Sequence, residues 1–466
     1  MQYYSLQKQS PNVDFRTAAI TGQAPDKGLY FPSEIPQFTA AQIEKFKTLD
    51  KANLAFEVMR PYVGCTIDDV TLKNICAETI NFDFPLVAIT DSISSLELFH
   101  GPTLAFKDVG ARFMSRCLGY FSKKSQEGTF GANEHTTQEE KPSTVLVATS
   151  GDTGGAVANG FLGVTGVNVI ILYPKGKVSP IQELQLTTLG QNITALEVEG
   201  SFDDCQAIVK EAFMDGELNN AYNLTSANSI NVARWLPQQL YYFFAWQQWV
   251  AKYQDSEGNY PPMHIVVPSG NFGNICAGMI AKESGLPLGH FVAACNANDV
   301  VTRYMATEKY EVKPSVVTLS NAMDVGNPSN FVRILEIMQN NFSALQNALT
   351  SYRITDSDTK STIARVYKTN NYILDPHGAV AFVAAEKFLT ETDNNNKSKE
   401  NGEVGNQLRA VILETAHPVK FPEVVEEAIG KSLSIPASVQ NLFEKEKVAI
   451  PLAPNYAAFK NWMLNK

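Results

Sequence analysis

The chain has 466 residues, of which 44% are hydrophobic and 18% are charged, and its formal net charge at pH 7 is −10. This length allows two domains with sizeable cores. The negative balance offers no basic surface for nucleic acid and disfavours an anionic membrane. No uninterrupted apolar run approaches the roughly 20 residues of a membrane span. We therefore expect neither a nucleic acid nor a membrane as partner.

The cysteines and histidines are spaced too irregularly for a metal site. The six cysteines, at positions 65, 76, 117, 205, 276 and 295, include no CxxC pair, and the six histidines show no HxxxH spacing. The first residues lack the basic and then apolar pattern of a signal peptide. We interpret the cysteines as reduced thiols in a cytoplasmic protein without a metal ion.

The N-terminal part of the chain alternates short helical segments with turns. Apolar spacing predicts helices at residues 40–46, 54–61 and 66–82, and a strand at residues 84–89. Two polar segments further along, residues 122–141 and 393–406, are rich in small and charged side chains. Their composition is typical of solvated insertions.

Most of the remaining chain alternates short apolar strands with helices. The predicted strands are residues 144–148, 167–173, 195–198, 264–267, 291–295 and 410–413. The predicted helices between them include residues 181–189, 202–214 and 235–249. Near-continuous apolar strands separated by helices indicate parallel sheets that are covered on both faces. The predicted fold class is therefore α/β, with two open, mostly parallel sheets flanked by helices and an N-terminal helical and extended segment.

The same alternation predicts how the chain divides into domains. Residues 1–94 form an N-terminal segment that packs on the large domain, residues 95–253 a smaller α/β domain, and residues 254–466 the large α/β domain. Residues 254–262 carry charge, glycine and two prolines, which is typical of a crossing between domains.

One lysine stands out by its position. Lys107 lies between Phe106 and a predicted helix, residues 109–121, whose apolar side chains recur at helical spacing. Enclosure by apolar surface and the positive end of the helix dipole both favour the neutral amine, the form that makes a Schiff base. On this stretch alone, a lysine that extends into water explains the pattern equally well.

Two glycine-rich turns each connect a strand to a helix. Residues 149–156 read TSGDTGGA, and residues 268–274 read PSGNFGN. Glycine lets the backbone turn tightly, and the helix that follows directs free N–H groups at a ligand. One such turn is more often structural, whereas two with neighbouring hydroxyl and amide groups favour anion binding at the carboxyl edge of a sheet. Neither matches GxGxxG or the P-loop, so neither a dinucleotide nor ATP is expected.

Two further motifs are compatible with ligand binding. Asn228, Ser229 and Arg234 lie before the predicted helix at residues 235–249, where amide, hydroxyl and guanidinium groups suit a phosphate. A helix capped by Asn228 or Ser229, with an exposed arginine, explains them equally well. Thr415 follows the strand at residues 410–413 and would lie at the same sheet edge, although a lone threonine is usually structural.

Taken together, these motifs resemble one enzyme family. The chain is similar to the longer bacterial and fungal branch of the threonine synthases, which are pyridoxal-phosphate enzymes of fold type II with the tryptophan-synthase-β-like fold. The resemblance covers most of the chain through GQAPDKGLYFP, LELFHGPTLAFKD, ATSGDTGGA, NSINVARW, PSGNFGN, DVGNPSNF and ETAHPVKFP. It implies pyridoxal 5′-phosphate as cofactor. The smaller domain would carry the cofactor lysine and substrate loop, and the large domain the cofactor phosphate loop.

The resemblance also implies roles for individual residues. Lys107 would be the catalytic residue and would hold the cofactor as a Schiff base. The other implied cofactor-binding residues are Asp152, Gly270, Asn271, Phe272, Gly273, Asn274 and Thr415. The implied substrate-binding residues are Ser150, Thr153, Asn228, Ser229 and Arg234. Asp152 stands where the shorter plant-like branch has asparagine, near the cofactor's 3′-oxygen, and would repel a phenolate there unless it is protonated or hydrogen-bonded.

The implied reaction converts O-phospho-L-homoserine and water into L-threonine and phosphate by γ-elimination and β-addition. Two alternatives remain open at this point. One is another fold-type-II lyase, such as a serine/threonine dehydratase or a phospho-amino-acid lyase. The other is a catalytically silent relative that binds a ligand. We expect the protein to be a monomer or a homodimer.

Overall fold

Two sheets organise the structure, a computed structural model that describes residues 1–127, 142–398 and 408–466. The strands of the described residues are β1 (Tyr3–Ser5), β2 (Tyr30–Pro32), β3 (Leu86–Ala88), β4 (Ile93–Glu97), β5 (Ser143–Ala148), β6 (Val167–Pro174), β7 (Ile193–Val198), β8 (Asn223–Ser226), β9 (His264–Pro268), β10 (Phe291–Cys295), β11 (Leu349–Arg353), β12 (Ala410–Glu414) and β13 (Ile450–Leu452).

Helices cover the faces of both sheets. The α-helices of the described residues are α1 (Phe15–Thr21), α2 (Ala40–Phe46), α3 (Lys51–Val63), α4 (Asp69–Thr79), α5 (Lys107–Gln126), α6 (Asp152–Phe161), α7 (Pro180–Thr187), α8 (Phe202–Met214), α9 (Gly216–Ala221), α10 (Val232–Trp235), α11 (Leu240–Tyr253), α12 (Gly273–Glu283), α13 (Val300–Thr307), α14 (Phe331–Ile337), α15 (Phe342–Ala348), α16 (Asp356–Asn370), α17 (Pro376–Ser398), α18 (Pro422–Ile429), α19 (Ala437–Gln440) and α20 (Tyr456–Leu464). Short 3₁₀ turns lie at Gly64–Thr66, Leu236–Gln239, Asn321–Met323, Pro418–Lys420 and Asn441–Glu444. Within the described residues, no helix combines the length and apolar character needed to cross a membrane.

The larger sheet has six strands in the order β11-β10-β9-β12-β4-β3. All neighbours in it are parallel except β3, which runs antiparallel to β4 at the edge. Every residue of β10 and β12 is buried. This burial explains why both strands are continuous apolar runs in the sequence.

The smaller sheet has five parallel strands in the order β13-β7-β6-β5-β8. Its outer edge strand, β13, comes from the C-terminal part of the chain, and α20 packs beside it on α8 and α9. The two sheets and their helices confirm the predicted fold class. The division at residues 94 and 253 stays a prediction.

The largest apolar cluster joins the inner faces of the two sheets. It contains Val145 and Val147 of β5, Ile265 and Val267 of β9, and most of the apolar side chains of α5 and α11. Helix α5 also packs closely on α6. The two sheets therefore share one core, which holds the loops at their carboxyl edges in a fixed relation.

Three sequence predictions need correction. The helix predicted at residues 235–249 is divided, because the 3₁₀ turn Leu236–Gln239 contains Pro237 and separates α10 from α11. The insertion predicted at residues 122–141 begins later, since α5 continues to Gln126. Likewise, α17 extends into the second predicted insertion, to Ser398. The remainders of both, residues 128–141 and 399–406, lie outside the described residues.

Candidate active site

The loop between β4 and α5 presents Lys107 as the first residue of a helix. Asp108 fixes this loop, because its carboxylate accepts hydrogen bonds from the hydroxyl of Thr103 (2.5 Å) and from the Thr103 N–H (2.9 Å). The turn includes Leu104 in the left-handed region, with φ of 60°. Asp108 also accounts for the glycine at position 101, since a Cβ at that position would lie 2.4 Å from the Asp108 Oδ2.

The lysine loop is attached to the segment that follows β12. The N–H of Phe106 donates to the carbonyl of Thr415 (2.9 Å), and the N–H of His417 donates to the carbonyl of Leu104 (3.0 Å). This pairing places Thr415, which is buried, beside the backbone that leads into Lys107. Strand β12 is parallel to β4 and to β9, so Thr415 lies at the sheet edge where the second glycine turn follows β9.

The surroundings of Lys107 favour its neutral form. Burial lowers the pKa of Lys107 from 10.5 to about 8, and the positive charges of Lys420 and Arg234 act in the same direction. The negative charge of Asp152 opposes them but does not outweigh them. A pKa near 8 leaves an appreciable fraction of the amine unprotonated at neutral pH, as a Schiff-base lysine requires.

The first glycine turn follows β5 and begins α6 at Asp152. The Thr149 hydroxyl oxygen accepts hydrogen bonds from the N–H groups of Gly151 and Gly154, both at 2.9 Å. Gly151 has φ of 135°, and a Cβ there would lie 2.4 Å from the side chain of Gln182. Glycine is therefore required at this position for both its conformation and its close approach.

Asp152 is buried and paired. Its Oδ1 lies 2.8 Å from the Nζ of Lys420 and accepts a hydrogen bond from the Nε2 of Gln182 at 2.9 Å. Burial by itself would raise the pKa of Asp152, but the charges of Lys420 and Lys107 hold that pKa well below its usual range. The aspartate is thus ionised and hydrogen-bonded. Ser150 and Thr153, on either side of it, are partly exposed.

The second glycine turn follows β9, which is the neighbour of β12 in the sheet. Phe272 adopts the left-handed conformation, with φ of 59°, and α12 begins at Gly273. A Cβ on Gly270 would lie 2.6 Å from the Cα of Met323. Asn274 is buried, and its Oδ1 accepts a hydrogen bond from the Tyr242 hydroxyl at 2.7 Å. Its Nδ2 has no partner within the described residues.

Ser229 lies against this second turn. Its Oγ accepts hydrogen bonds from the Nδ2 of Asn271 (2.7 Å) and the Nδ2 of Asn330 (3.1 Å). The Ser229 hydroxyl hydrogen is therefore free to donate to an anion. Asn330 is fully buried and also donates to the carbonyl of Asn271 at 3.1 Å.

Arg234 is a buried cation. Only 4% of it is exposed, and its Nη1 donates to the carbonyl of Ala227 at 2.7 Å. Its Nε is buried and has no hydrogen-bond partner in the parts of the chain that the structure covers. Burial lowers its pKa from 12.5 to about 10. A buried cation with an unsatisfied N–H group is suited to receive an anionic ligand.

The alternative in which Asn228 or Ser229 caps the following helix, with an exposed arginine, is wrong. Asn231 is the cap of α10, and its side chain accepts a hydrogen bond from the N–H of Ala233 at 2.9 Å. Arg333 instead holds the backbone of Ser229 and Ile230, because it donates to the carbonyls of Ser229 (3.2 Å) and Ile230 (2.6 Å).

Several residues that shape this site were not predicted from the sequence: Gln182, Gln185, Asn330, Arg333 and Lys420. Some signals were present. Gln182 and Gln185 are three apart on α7, and both belong to its buried face. Lys420 follows Thr415 within one motif, but a single lysine there gives no indication of burial. The hydrogen bonds of Arg333 reach backbone that is up to 303 residues away in the sequence, at Tyr30.

Three family models match the chain. The model described as "Pyridoxal-phosphate dependent enzyme" matches residues 95–399, "Threonine synthase N terminus" matches residues 2–80, and "Threonine synthase, C-terminal" matches residues 379–463. The threonine synthase of Serratia marcescens is 38% identical over 464 residues, covering 100% of this chain and 99% of that protein.

Solved structures agree with the sequence relatives. The crystal structure of threonine synthase from Escherichia coli superposes with a TM-score of 0.86 at 36% identity and covers 100% of both chains. The structure of pyridoxal-phosphate-bound threonine synthase from Brucella melitensis gives a TM-score of 0.86 at 33% identity, covering 100% of this chain and 99% of that one.

Proposed function

The chain belongs to the threonine synthase family of pyridoxal-phosphate-dependent lyases, and from this premise we propose that it converts O-phospho-L-homoserine and water into L-threonine and phosphate. The observation that carries the proposal is a lysine with a lowered pKa, Lys107, beside Arg234, a buried cation whose Nε has no partner among the described residues. A reaction that binds one phosphate on the cofactor and expels another from the substrate needs such anion-binding groups near its lysine.

The residues of the second glycine turn fit a cofactor phosphate. The first N–H groups of α12 have no partner within the helix. The buried Nδ2 of Asn274 also lacks one among the described residues, and Gly270 lets the backbone approach closely. We assign the phosphate to Gly270, Asn271, Phe272, Gly273 and Asn274, and the aldehyde carbon to the amine of Lys107. Thr415 would face the pyridine nitrogen.

The substrate would be held on the other side of Lys107. Ser150 and Thr153, at the partly exposed start of α6, would bind its carboxylate. Arg234, Ser229 and Asn228 would bind its phosphate. The support is the unpaired Nε of Arg234 and the free hydroxyl hydrogen of Ser229. Because Ser229 also contacts Asn271, the two phosphate sites would be neighbours.

Lys107 would then move the protons of the reaction. Its amine would take the proton from Cα of the substrate and exchange protons at Cβ, and loss of the β-proton would expel the γ-phosphate towards Arg234. When bound, pyridoxal phosphate supplies the electron sink for these steps. A proton would then be delivered to Cγ, which becomes the methyl group, water would add its hydroxyl group to Cβ, and return of the proton to Cα would complete L-threonine.

Turnover of O-phospho-L-homoserine tests the proposal. The wild type should release phosphate and L-threonine in equal amounts, and Lys107→Ala should lose turnover by at least about 10³-fold, because the proposal assigns both the cofactor bond and the proton transfers to the Lys107 amine. Lys73→Ala removes an exposed lysine and serves as the matched control, which should retain turnover. Borohydride reduction of the coloured holoenzyme should fix the cofactor on Lys107, as peptide mass spectrometry would show.

The alternatives give different results in the same assays. A keto acid in place of threonine would identify a dehydratase. A colourless protein that gains no absorbance band with added pyridoxal phosphate would identify a silent relative. Either result would contradict the proposal.

We also propose that the protein functions in the cytoplasm, and the support is that all six cysteines are free thiols, five of them buried. The prediction of a monomer or homodimer is retained with this proposal.

A further inference from the structure

Lys420 is a fully buried lysine beside the candidate active site. Its Nζ lies 2.8 Å from the Oδ1 of Asp152, and it donates to the carbonyl of Thr103 (2.8 Å) and the Oε1 of Gln185 (3.0 Å). An ammonium group has three N–H donors, and here each one has an acceptor. Three acceptors, one of them a carboxylate, therefore surround the Nζ of Lys420, which is the arrangement that an ammonium group requires.

These contacts join three separate elements. Lys420 belongs to the 3₁₀ turn after β12, Asp152 begins α6, and Gln185 lies on α7. Gln185 also donates from its Nε2 to the same Thr103 carbonyl, at 3.1 Å. Lys420 thus connects the Thr415 segment of the larger sheet to the first glycine turn of the smaller one, and its bond to Thr103 attaches both to the lysine loop.

This inference rests on the proposed function. We propose that Lys420 is a positioning residue whose positive charge neutralises Asp152, so that Asp152 does not form an ion pair with a protonated Lys107. Lys107 and Lys420 both lie close enough to the Asp152 carboxylate to interact with its charge, and in the structure Lys420 is the lysine that contacts it. Lys107 is left as the amine that reacts. At the position that the resemblance implies for Asp152, near the cofactor's 3′-oxygen, this pairing would also supply the hydrogen bond that the aspartate would require.

The other titratable and charged groups near Lys107 do not neutralise Asp152 in place of Lys420. Arg234 also repels a proton from Lys107. Asp108, next in sequence, is bound by Thr103 and acts on Arg234 and Lys420. The pKa of His417 is lowered to about 4 by burial, which leaves it neutral near pH 7. The Tyr241 hydroxyl donates to the carbonyl of Phe106, and burial raises its pKa, so it carries no charge.

Competitive labelling of the full chain, freed of cofactor, tests the proposal. Trace acetic anhydride is applied across pH 6–11, and mass spectrometry compares acetylation of Lys107 with that of the exposed Lys73. The wild-type midpoint for Lys107 should lie at about 8. Lys420→Met should raise it by about one pH unit or more, because Asp152 would then pair with Lys107.

Two further variants separate a charge effect from a loss of structure. Asp152→Asn should lower the midpoint below that of the wild type, and the double variant Asp152→Asn/Lys420→Met should return it to within about half a unit. Lys447→Met removes a lysine that pairs at the surface with Glu183 and should leave the midpoint unchanged.

An unchanged midpoint in Lys420→Met would overturn the proposal, as would a double variant that stays shifted. If Lys420→Met does not fold, the downward shift in Asp152→Asn and the recovery in the double variant decide the question. Because the labelling uses neither substrate nor cofactor, it can succeed while the proposed turnover fails. The two conclusions are therefore tested separately.

Discussion

His290 shows how a single side chain makes stability depend on pH. Its ring stacks on Phe388 with a centroid distance of 5.4 Å and an interplanar angle of 4°, and it hydrogen-bonds the Thr350 hydroxyl at 2.8 Å. Burial, followed by the charges of His264 and Lys282, lowers the pKa of His290 from 6.5 to about 4. In the unfolded chain the His290 ring is therefore protonated as the pH falls below about 6.5, whereas in the folded chain it is protonated only near pH 4.

The folded state should lose stability as the pH falls through this window. We predict that, between pH 7 and pH 4, the free energy of unfolding falls by about 2 kcal/mol more in the wild type than in His290→Gln. This value is smaller than the full pKa shift would give, because the ring is partly exposed to solvent. Glutamine can keep the hydrogen bond to Thr350 but cannot be protonated. Urea unfolding at several pH values measures the difference, and parallel stability curves for the two proteins would contradict the prediction.

The site illustrates which residues a sequence can predict. Lys107 could be predicted, because the glycine and proline before it and the helix after it are its neighbours in the chain. Lys420 could not, because its role depends on Asp152, Gln185 and Thr103, and Thr103 lies 317 residues away. Polar residues that bind a ligand often lie in a local sequence motif and can be predicted from it. Polar residues that neutralise a buried charge are brought together only when the chain folds, so no local pattern predicts them.

At the scale of elements, the start of α17 packs against the end of β12. Asp375 and Pro376 predict a helix start, and α17 begins at Pro376. The Glu414 carboxylate accepts the Asp375 N–H at 2.6 Å. Gly378 has no room for a side chain, since a Cβ there would lie 1.6 Å from the Glu414 Oε2. Burial and the neighbouring Asp375 raise the pKa of Glu414.

We therefore predict that Gly378→Ala lowers the free energy of unfolding by about 1–3 kcal/mol, because Glu414 is buried and must move. Gly216→Ala is the matched control. Gly216 begins α9, and a methyl group added there would have no other atom within 4 Å, so the change should be neutral or stabilising by about 0.5 kcal/mol. Denaturant unfolding of both variants is the measurement, and equal stabilities would show that Glu414 moves aside freely.

The accuracy of the element predictions follows the same division between local and distant contacts. The predicted bounds of α8 and β10, residues 202–214 and 291–295, agree with the structure. Both have a strong apolar pattern of their own. Strands β8, β11 and β13, which have three to five residues and lie at sheet edges, were not predicted. Such strands exist because a distant neighbour pairs with them, and their own pattern is too short to predict them.

For the whole molecule, the last part of the chain completes the core of the smaller sheet. Phe459 and Met463 of α20 are fully buried in a cluster with side chains of β6, β7 and α8. That cluster is separate from the core shared by the two sheets. The outer face of the smaller sheet therefore depends on α20, although the active-site loops lie elsewhere.

Phe459→Ala should open the smaller sheet selectively. Removing this buried ring should lower the free energy of unfolding by about 3–5 kcal/mol. Hydrogen exchange should accelerate more in β6 and β7 than in β9 and β10, since only the first pair contacts the cluster. Leu464→Ala, on the same helix but 43% exposed, should change stability by less than about 0.5 kcal/mol. Equal acceleration of hydrogen exchange in both sheets would mean that the two sheets unfold as one unit. The core that the sheets share would then contribute more than the α20 cluster to the stability of the crevice around Lys107.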